Sequence, residues 1–182
     1  MKVTQTEFKD LLILEPTIYT DERGFFMESY NGLTFLKNDI DIKFVQDNQS
    51  FSKKGVLRGL HFQKNPFAQT KLVRVLFGTV LDVVVDLRLG QPTYKKVFKI
   101  ELSKENNKQL LVPKGFAHAF VVLSETAEVL YKCDEYYNKE AEEGIRFDDP
   151  ELVIDWVLPK EKLIVSSKDA VLPHLSNLNY SF

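Results

Sequence analysis

Cysteine is nearly absent from this sequence. Cys133 is the single one among 182 residues, so no disulfide can form within the chain. Disulfides belong to oxidising compartments, and the sequence therefore suits a reducing one. Residues 1–7 lack the apolar run of a signal peptide, and no stretch approaches the ~18 apolar residues of a membrane span. These absences predict a cytoplasmic protein with no membrane partner.

The chain also lacks an excess of either charge, because its formal net charge is only −2. No overall basic field is available to recruit nucleic acid, so any anionic ligand must be held by local clusters of Arg and Lys. A phosphate-binding glycine loop, a nucleophile elbow and zinc-finger spacing are all missing. The common sequence motifs of nucleotide hydrolysis, serine hydrolysis and structural zinc binding are therefore not found.

The sequence instead contains many short apolar runs separated by turn residues. Its 14 Phe and 7 Tyr favour strands, and its length suits a single domain over residues 1–182. Strands are predicted at residues 11–15, 25–30, 56–62, 72–77, 80–87, 97–102, 109–112, 119–123 and 128–133. Short helices are predicted at residues 31–38 and 159–163. This pattern predicts an all-β sandwich or barrel with a few short helices.

Two hairpins are predicted within these strands. The first turns at residues 78–79 and sets Val75 opposite Asp82; the second has its loop at residues 124–127 and pairs Phe120 with Tyr131. Strand alternation then places two sets on inward faces: Lys71, Val73, Val75, Asp82, Val84 and Asp86 in the first hairpin, and His118, Phe120, Val129, Tyr131 and Cys133 in the second. Polar groups inside a small barrel are costly unless paired, so their presence indicates a site.

Two of the three histidines lie in apolar runs. They occur in Arg58-Gly-Leu-His61-Phe-Gln63 and in Pro113-Lys-Gly-Phe-Ala-His118. A histidine exchanges its proton near neutral pH, which suits acid–base chemistry. Each is also compatible with a core or strand-edge histidine, although the polar neighbours of His61 favour function. Taken singly, Tyr131, Asp169 and Arg23 fit a strand aromatic, a turn residue and a hairpin tip.

The spacing of the two histidine motifs is similar to that of metal-binding cupin barrels. In those proteins the first motif offers two histidines separated by one residue. Here Gln63 stands at the second position, and an amide is a poor ligand beside imidazole. A transition-metal site needs three or four ligands. The sequence therefore predicts a barrel without a metal.

A set of short motifs follows one another in order along roughly residues 10 to 170. They are Asp21-Glu-Arg-Gly-Phe-Phe-Met-Glu28, Phe44-Val-Gln-Asp-Asn48, Gly55-Val-Leu-Arg-Gly-Leu-His-Phe-Gln63, Lys71-Leu-Val-Arg74, Val83-Val-Val-Asp-Leu-Arg88, Pro113-Lys-Gly-Phe-Ala-His118, Tyr131-Lys132, Gly144-Ile-Arg-Phe-Asp-Asp-Pro150 and Ser167-Lys-Asp169. With these motifs the chain resembles the dTDP-4-dehydrorhamnose 3,5-epimerase family. Each motif alone is weak, whereas the ordered set is specific.

The resemblance implies a cupin-like jelly-roll barrel and an isomerase that uses neither a metal nor an organic cofactor. It implies a nucleotide-linked 4-keto-6-deoxy sugar as substrate, with inversion at carbons 3 and 5. It also implies a homodimer in which an N-terminal strand crosses to the partner. Arg23 of one protomer is then expected to complete the site of the other.

The resemblance also assigns roles to individual residues. His61 is expected to remove a proton next to the ketone, with Asp169 orienting its ring. Lys71 is expected to stabilise the enolate and Tyr131 to return a proton from the opposite face. Arg58 and Arg23 are expected to hold the diphosphate. The further substrate contacts implied are Phe25, Glu28, Gln46, Asn48, His118, Tyr137, Glu142 and Lys168.

Two positions depart from the family pattern. Gln49 stands where many members have histidine, and Thr70 stands where glycine is common. Three alternatives remain at this point. One is a 3-only or 3,5-epimerase of a GDP- or CDP-linked 4-keto sugar such as a heptose. The others are a non-catalytic sugar-binding cupin and a metal-dependent cupin oxygenase or isomerase.

Overall fold

The structure, a computed structural model, describes residues 1–182 and consists almost entirely of strands. The strands are β1 Lys2–Gln5, β2 Leu12–Glu15, β3 Ile18–Asp21, β4 Gly24–Met27, β5 Gln46–Lys53, β6 Val56–Gln63, β7 Lys71–Phe77, β8 Thr79–Asp86, β9 Val97–Ser103, β10 Gln109–Val112, β11 Phe116–Val122, β12 Thr126–Cys133, β13 Glu142–Gly144 and β14 Ile164–Val165. The two α-helices are α1 Gly32–Leu36 and α2 Ser167–Ala170, and 3-10 turns cover Lys160–Lys162 and Leu175–Asn177. No helix of the chain is long and apolar enough to cross a bilayer.

Two sheets form the body of the protein. One has six strands in the order β1-β2-β10-β7-β12-β5, and the other has five in the order β13-β6-β11-β8-β9, with β14 added parallel to β6. Inward-facing side chains of both sheets share one core, which includes Val73 and Val129 from the first and Val84 and Phe120 from the second. The architecture is a cupin-like jelly roll, as predicted.

Both predicted hairpin pairings are wrong. Val75 lies beside Val129 of β12, while Asp82 lies beside Phe120 of β11, so β7 and β8 belong to different sheets. Tyr131 likewise pairs with β5 and β7 instead of with Phe120. The chain crosses from one sheet to the other after β7, where Gly78 has φ +75°. The predicted inward faces nevertheless hold, because alternation along a strand does not depend on its partner.

Both segments predicted as short helices contain a helical element. Asn31 caps α1, since its side-chain oxygen accepts hydrogen bonds from the backbone N–H groups of Leu33 and Thr34. The second predicted segment forms the short 3-10 turn after Pro159. Both predictions are therefore confirmed in position, although each element is shorter than expected.

The C-terminal third covers the outer face of the five-stranded sheet. Ile145, Trp156 and Leu175 are buried there against the outward side chains of β6 and β8, among them Leu57 and Leu81. This packing carries residues 164–169 along β6 and so brings α2 to the edge of the barrel. The segment that reads as irregular in sequence thus positions Asp169.

The β3–β4 hairpin stands apart from both large sheets. It forms a two-stranded sheet of its own. Phe25 and Phe26 are 55% and 66% exposed, and Tyr19 is also exposed. A contiguous set of exposed aromatic side chains is typical of a surface that contacts another molecule.

Candidate active site

A cavity of about 600 Å³ is lined by residues of both sheets and of the 164–169 segment. Eight of the predicted site residues lie on its wall: Asn48, Arg58, His61, Lys71, His118, Tyr131, Lys168 and Asp169. Six of these come from five different strands, and the helix α2 supplies the other two. Residues separated by up to 121 positions are therefore brought together by the fold.

His61 and Asp169 form a hydrogen-bonded pair. His61 Nε2 lies 2.8 Å from Asp169 Oδ1, and the second carboxylate oxygen accepts the Gly59 backbone N–H at 3.3 Å. Burial opposes ionisation of Asp169, but these hydrogen bonds outweigh it and hold the pKa of the carboxyl below its ordinary value. An ionised Asp169 fixes the ring of His61 and favours its positive charge once it has taken up a proton.

Local geometry explains why the pair forms. Ser166 caps α2 by accepting the Asp169 backbone N–H at 3.1 Å, which sets the first turn beside β6. Gly59 has φ +120°, and a Cβ there would lie 2.5 Å from the carbonyl oxygen of His118. Only glycine permits this close approach of β6 to β11. The same backbone conformation directs the Gly59 N–H toward Asp169.

Lys71 and Tyr131 lie on the opposite, six-stranded sheet, on the adjacent strands β7 and β12. Lys71 Nζ is 5.9 Å from the centroid of the Tyr131 ring. Burial lowers the pKa of Lys71 and raises the pKa of Tyr131, because desolvation disfavours the charged form of each. The cavity thus contains an amine and a phenol across from the imidazole of His61.

His118 makes a second histidine–carboxylate pair. Its Nε2 lies 2.9 and 3.0 Å from the two carboxylate oxygens of Asp82, which is 0% exposed. His118 is the direct cross-strand neighbour of His61. The sequence placed Asp82 on the inward face but assigned it no role. The rule that a buried carboxylate needs a partner was the available signal.

A chain of polar contacts lies at the mouth of the cavity. The Tyr137 hydroxyl donates to Glu142 at 2.8 Å, and Glu142 also forms an ion pair with Lys168. The Tyr137 backbone N–H donates to Gln46 Oε1 at 3.0 Å, and Gln46 donates in turn to Asn48. Gln46, Tyr137 and Glu142 do not line the cavity, but these contacts tie them to two residues that do.

Three predicted residues lie elsewhere within a single chain. Arg23 and Phe25 line a separate hollow of about 540 Å³ in the β3–β4 hairpin. Arg23 forms an exposed ion pair with Asp21. Glu28 accepts a hydrogen bond from Asn31 at 2.9 Å. None of the three reaches the cavity of its own protomer.

Arg58 is the cavity residue best placed for an anion. Its Nε donates to Ser52 at 3.1 Å, and the side chain is otherwise exposed at the cavity wall. The terminal nitrogens of its guanidinium have no protein partner among the hydrogen bonds of the structure. A planar fork of free donors suits phosphate oxygens.

No group of three or more His, Cys, Asp and Glu side chains is arranged to hold a metal ion. The two cavity histidines are each bonded to a carboxylate, and the amide of Gln63 is engaged by backbone groups. Cys133, opposite Lys71 on β12, is buried, and burial raises the pKa of its thiol. The side chains of the cavity are therefore arranged for proton transfer and anion binding.

Known proteins match this chain over nearly its whole length. The family model described as dTDP-4-dehydrorhamnose 3,5-epimerase matches residues 5–177. The enzyme of that name from Salmonella typhimurium is 50% identical over 179 residues, covering 96% of each chain. The crystal structure of the Elizabethkingia anophelis enzyme has a TM-score of 0.93 at 51% identity, covering 99% of each chain. A Legionella pneumophila epimerase in complex with dTDP-4-keto-L-rhamnose has a TM-score of 0.93 at 47% identity, covering 98% of this chain and 94% of that one.

Proposed function

The chain belongs to the dTDP-4-dehydrorhamnose 3,5-epimerase family, and we propose that it converts dTDP-4-dehydro-6-deoxy-D-glucose to dTDP-4-dehydro-L-rhamnose. The observation that carries this proposal is one cavity with the His61–Asp169 pair on one sheet and Lys71 and Tyr131 on the other. A base and an acid on opposite walls can act on opposite faces of a sugar ring held between them.

The reaction depends on the acidity of hydrogens beside a ketone. In a 4-keto sugar these hydrogens are on carbons 3 and 5, because the anion formed there spreads onto the oxygen of carbon 4. His61 removes the hydrogen as a proton, and Asp169 stabilises the resulting imidazolium. Tyr131 then delivers its proton to the other face of the same carbon, which inverts it. Exchange of protons with water resets both groups.

The negative charge on the oxygen of carbon 4 needs stabilisation during this step. Lys71 supplies it as an ammonium group in a largely desolvated setting, where a charge interaction is stronger than in water. Tyr131 keeps its proton at neutral pH because its pKa lies above the ordinary value of about 10. Neither step requires a metal or an organic cofactor.

The remaining contacts divide between sugar and nucleotide. Arg58 is proposed to bind the diphosphate, with Asn48, His118 and Lys168 on the cavity wall contacting the sugar or its linkage. Gln46, Glu142 and Tyr137 are proposed to bind the nucleotide half at the mouth. The bound dTDP-4-keto-L-rhamnose in the Legionella relative supports dTDP as the nucleotide.

We further propose a cytoplasmic homodimer in which the β3–β4 hairpin crosses to the partner. Its exposed aromatic side chains support an interface, and its isolation from both large sheets leaves it free to pair elsewhere. Arg23, Phe25 and Glu28 would then complete the substrate site of the other protomer, which accounts for their distance from the cavity of their own.

Proton-exchange NMR in D₂O tests the proposed reaction. The protein is mixed with dTDP-4-keto-6-deoxyglucose, and deuterium uptake is followed at carbons 3 and 5 separately. Uptake at both carbons with appearance of the L-rhamno product is expected. Uptake at carbon 3 alone identifies a 3-epimerase, and GDP- and CDP-linked analogues test the nucleotide. The absence of exchange with every nucleotide-linked 4-keto sugar contradicts an enzymatic function.

A further inference from the structure

Gln63 ends β6 two residues after His61, and its side chain is oriented to the same side of the strand. It is 5% exposed. It makes no hydrogen bond to any of the proposed catalytic residues. The proposed reaction does not explain why a buried amide lies at this position, close to the catalytic base His61.

Every hydrogen-bonding group of the Gln63 amide is bonded to a loop. Its Nε2 donates to the carbonyl oxygen of Phe67 at 2.7 Å and to that of Tyr136 at 3.2 Å. Its Oε1 accepts the backbone N–H of Asn138 at 2.6 Å. One side chain thus joins the loop of residues 64–70 to the loop of residues 134–141.

The two contacts with the second loop bracket Tyr137. The Tyr136 carbonyl belongs to the peptide group before Tyr137, and the Asn138 N–H belongs to the peptide group after it. Both peptide groups that flank Tyr137 are therefore anchored to the same amide. Since Tyr137 is 53% exposed, its position depends less on packing than on hydrogen bonds. These are the Gln63 bonds to the two flanking peptide groups, the bond of its own N–H to Gln46 and the bond of its hydroxyl to Glu142.

The anchored residue is connected onward to the cavity. Tyr137 reaches Glu142 through its hydroxyl, and Glu142 is ion-paired with Lys168 on the cavity wall. The first loop leads directly into Lys71 at the start of β7. Loss of the Gln63 contacts is expected to loosen Tyr137 more than Lys71, because Lys71 is also held by strand pairing on both sides.

We propose that Gln63 is a positioning residue for substrate binding, which fixes the exposed aromatic ring of Tyr137 at the mouth of the cavity before the ligand arrives. The ligand is the nucleoside-diphosphate half of the substrate, so the inference rests on the proposed function. An ordered aromatic ring binds a nucleotide base more tightly than a mobile one, since less conformational entropy is lost on binding.

The test uses Gln63→Met, which keeps the length of the side chain and removes all three hydrogen bonds. Steady-state kinetics with dTDP-4-keto-6-deoxyglucose are expected to show a KM raised about tenfold, with kcat within about threefold of wild type. Calorimetry with dTDP alone is expected to show the same loss of affinity. That measurement needs no turnover, so it tests Gln63 even if the proposed reaction is wrong.

Gln69→Met is the matched control. Gln69 also joins the two loops, through one hydrogen bond from Nε2 to the Glu135 carbonyl at 2.8 Å, but it does not contact either peptide group beside Tyr137. Its KM and its dTDP affinity are expected to stay within about twofold of wild type, since one half-buried hydrogen bond contributes little. An equal rise of KM in both variants contradicts a specific role for Gln63.

Gln63→Glu provides a second variant in case the methionine variant is unstable. The carboxylate still accepts the Asn138 N–H but cannot donate to Phe67 or Tyr136. Amide hydrogen exchange at Asn138 is expected to be faster than wild type in Gln63→Met and slow in Gln63→Glu, while dTDP affinity falls in both. The proposal is overturned if dTDP affinity is unchanged in both variants, or if kcat falls as steeply as KM rises.

Discussion

Lys71 and Tyr131 illustrate how burial sets two neighbouring groups for different tasks. Desolvation lowers the pKa of the amine and raises that of the phenol, since it disfavours the charged form in each case. The two shifts run in opposite directions, the pKa of Lys71 downward and the pKa of Tyr131 upward. As pH rises, loss of charge at Lys71 becomes the first event that weakens stabilisation of the enolate.

The loss of charge at Lys71 is expected to set the alkaline side of the profile of kcat/KM against pH. We expect kcat/KM of the wild type to fall through a pKa below 10.5, the ordinary value for lysine. In Lys71→Arg the cation persists to higher pH, so the fall is expected to move upward even though the rate is lower. Rates of the two proteins across pH 7 to 11 provide the check. An unchanged alkaline limb contradicts the assignment of this limb to Lys71.

Asp169 is expected to contribute to the rate through its charge. In Asp169→Asn the shape is kept, but the amide no longer stabilises the imidazolium and permits the wrong tautomer of His61. The kcat is therefore expected to fall about 10²-fold or more. Steady-state kinetics at neutral pH measure this loss. Activity within about threefold of wild type contradicts the role of the pair.

Asp148 provides a matched carboxylate outside the cavity. Hydrogen bonds from Arg146 and Lys160 lower its pKa to about 2. Its folded-state pKa is depressed, so its stabilisation is present above about pH 4 and is lost as pH falls towards 2. Asp148→Asn is expected to lower the free energy of unfolding by about 1 kcal/mol at pH 7, with little effect at pH 2, and to leave kcat unchanged. Urea unfolding at both values of pH checks this.

His61 was predictable as a polar residue within an apolar strand run, and the predicted inward faces included Lys71 and Tyr131. Asp169 lies in a turn-like segment, and only the family resemblance gave it a role. All four side chains line one cavity. The inward position of Asp82 signalled that this carboxylate needs a partner, but the choice of His118 as that partner and the anchoring role of Gln63 were not predictable. Both depend on which strands and loops become neighbours, and that information is not present in the local pattern around either residue.

At the level of strands, the alternation of side chains along each strand was predicted correctly, whereas the pairing between strands was not. The period of two correctly placed Lys71 and Asp82 on inward faces, since it follows from the backbone of each strand alone. The pairing of β7 with β8 was wrong because a tight turn also serves to cross between two sheets. Local turn chemistry does not distinguish a hairpin from a crossing of this kind.

The substitution Gly59→Ala tests the close contact of β6 with β11. In Gly59→Ala the new methyl group meets the His118 carbonyl and the Ala119 side chain, and the φ of +120° is unfavourable for alanine. The free energy of unfolding is expected to fall by about 2 kcal/mol or more, and activity is expected to fall with it as the Asp169 contact shifts. Thermal unfolding and kinetics measure both. Unchanged stability contradicts the tight approach.

At the level of the whole molecule, the separate β3–β4 hairpin is the feature that a single chain does not explain. If it crosses to the partner, Arg23 and His61 of one active site come from different protomers. Arg23→Ala and His61→Ala proteins are then each expected to be nearly inactive. Unfolding and refolding them together is expected to restore roughly a quarter of wild-type activity, because half of the randomly paired dimers contain one intact site.

The complementation experiment has a clear contrary result. If both residues act within the same protomer, a mixed dimer contains no complete site, and the refolded mixture stays as inactive as its parents. Sedimentation of the mixture establishes that dimers have formed. Without the exchange, Arg23, Phe25 and Glu28 lose their proposed place in the substrate site.

His61 and Tyr131 are proposed to act on opposite faces of one sugar ring. Proton-exchange NMR in D₂O with the Tyr131→Phe protein separates their two steps. Deuterium is expected still to enter carbon 3 or 5 through His61, while inversion falls by about 10²-fold or more because the proton returns to the face it left. Inversion at the wild-type rate in Tyr131→Phe, or continued deuterium uptake in His61→Ala, contradicts these roles.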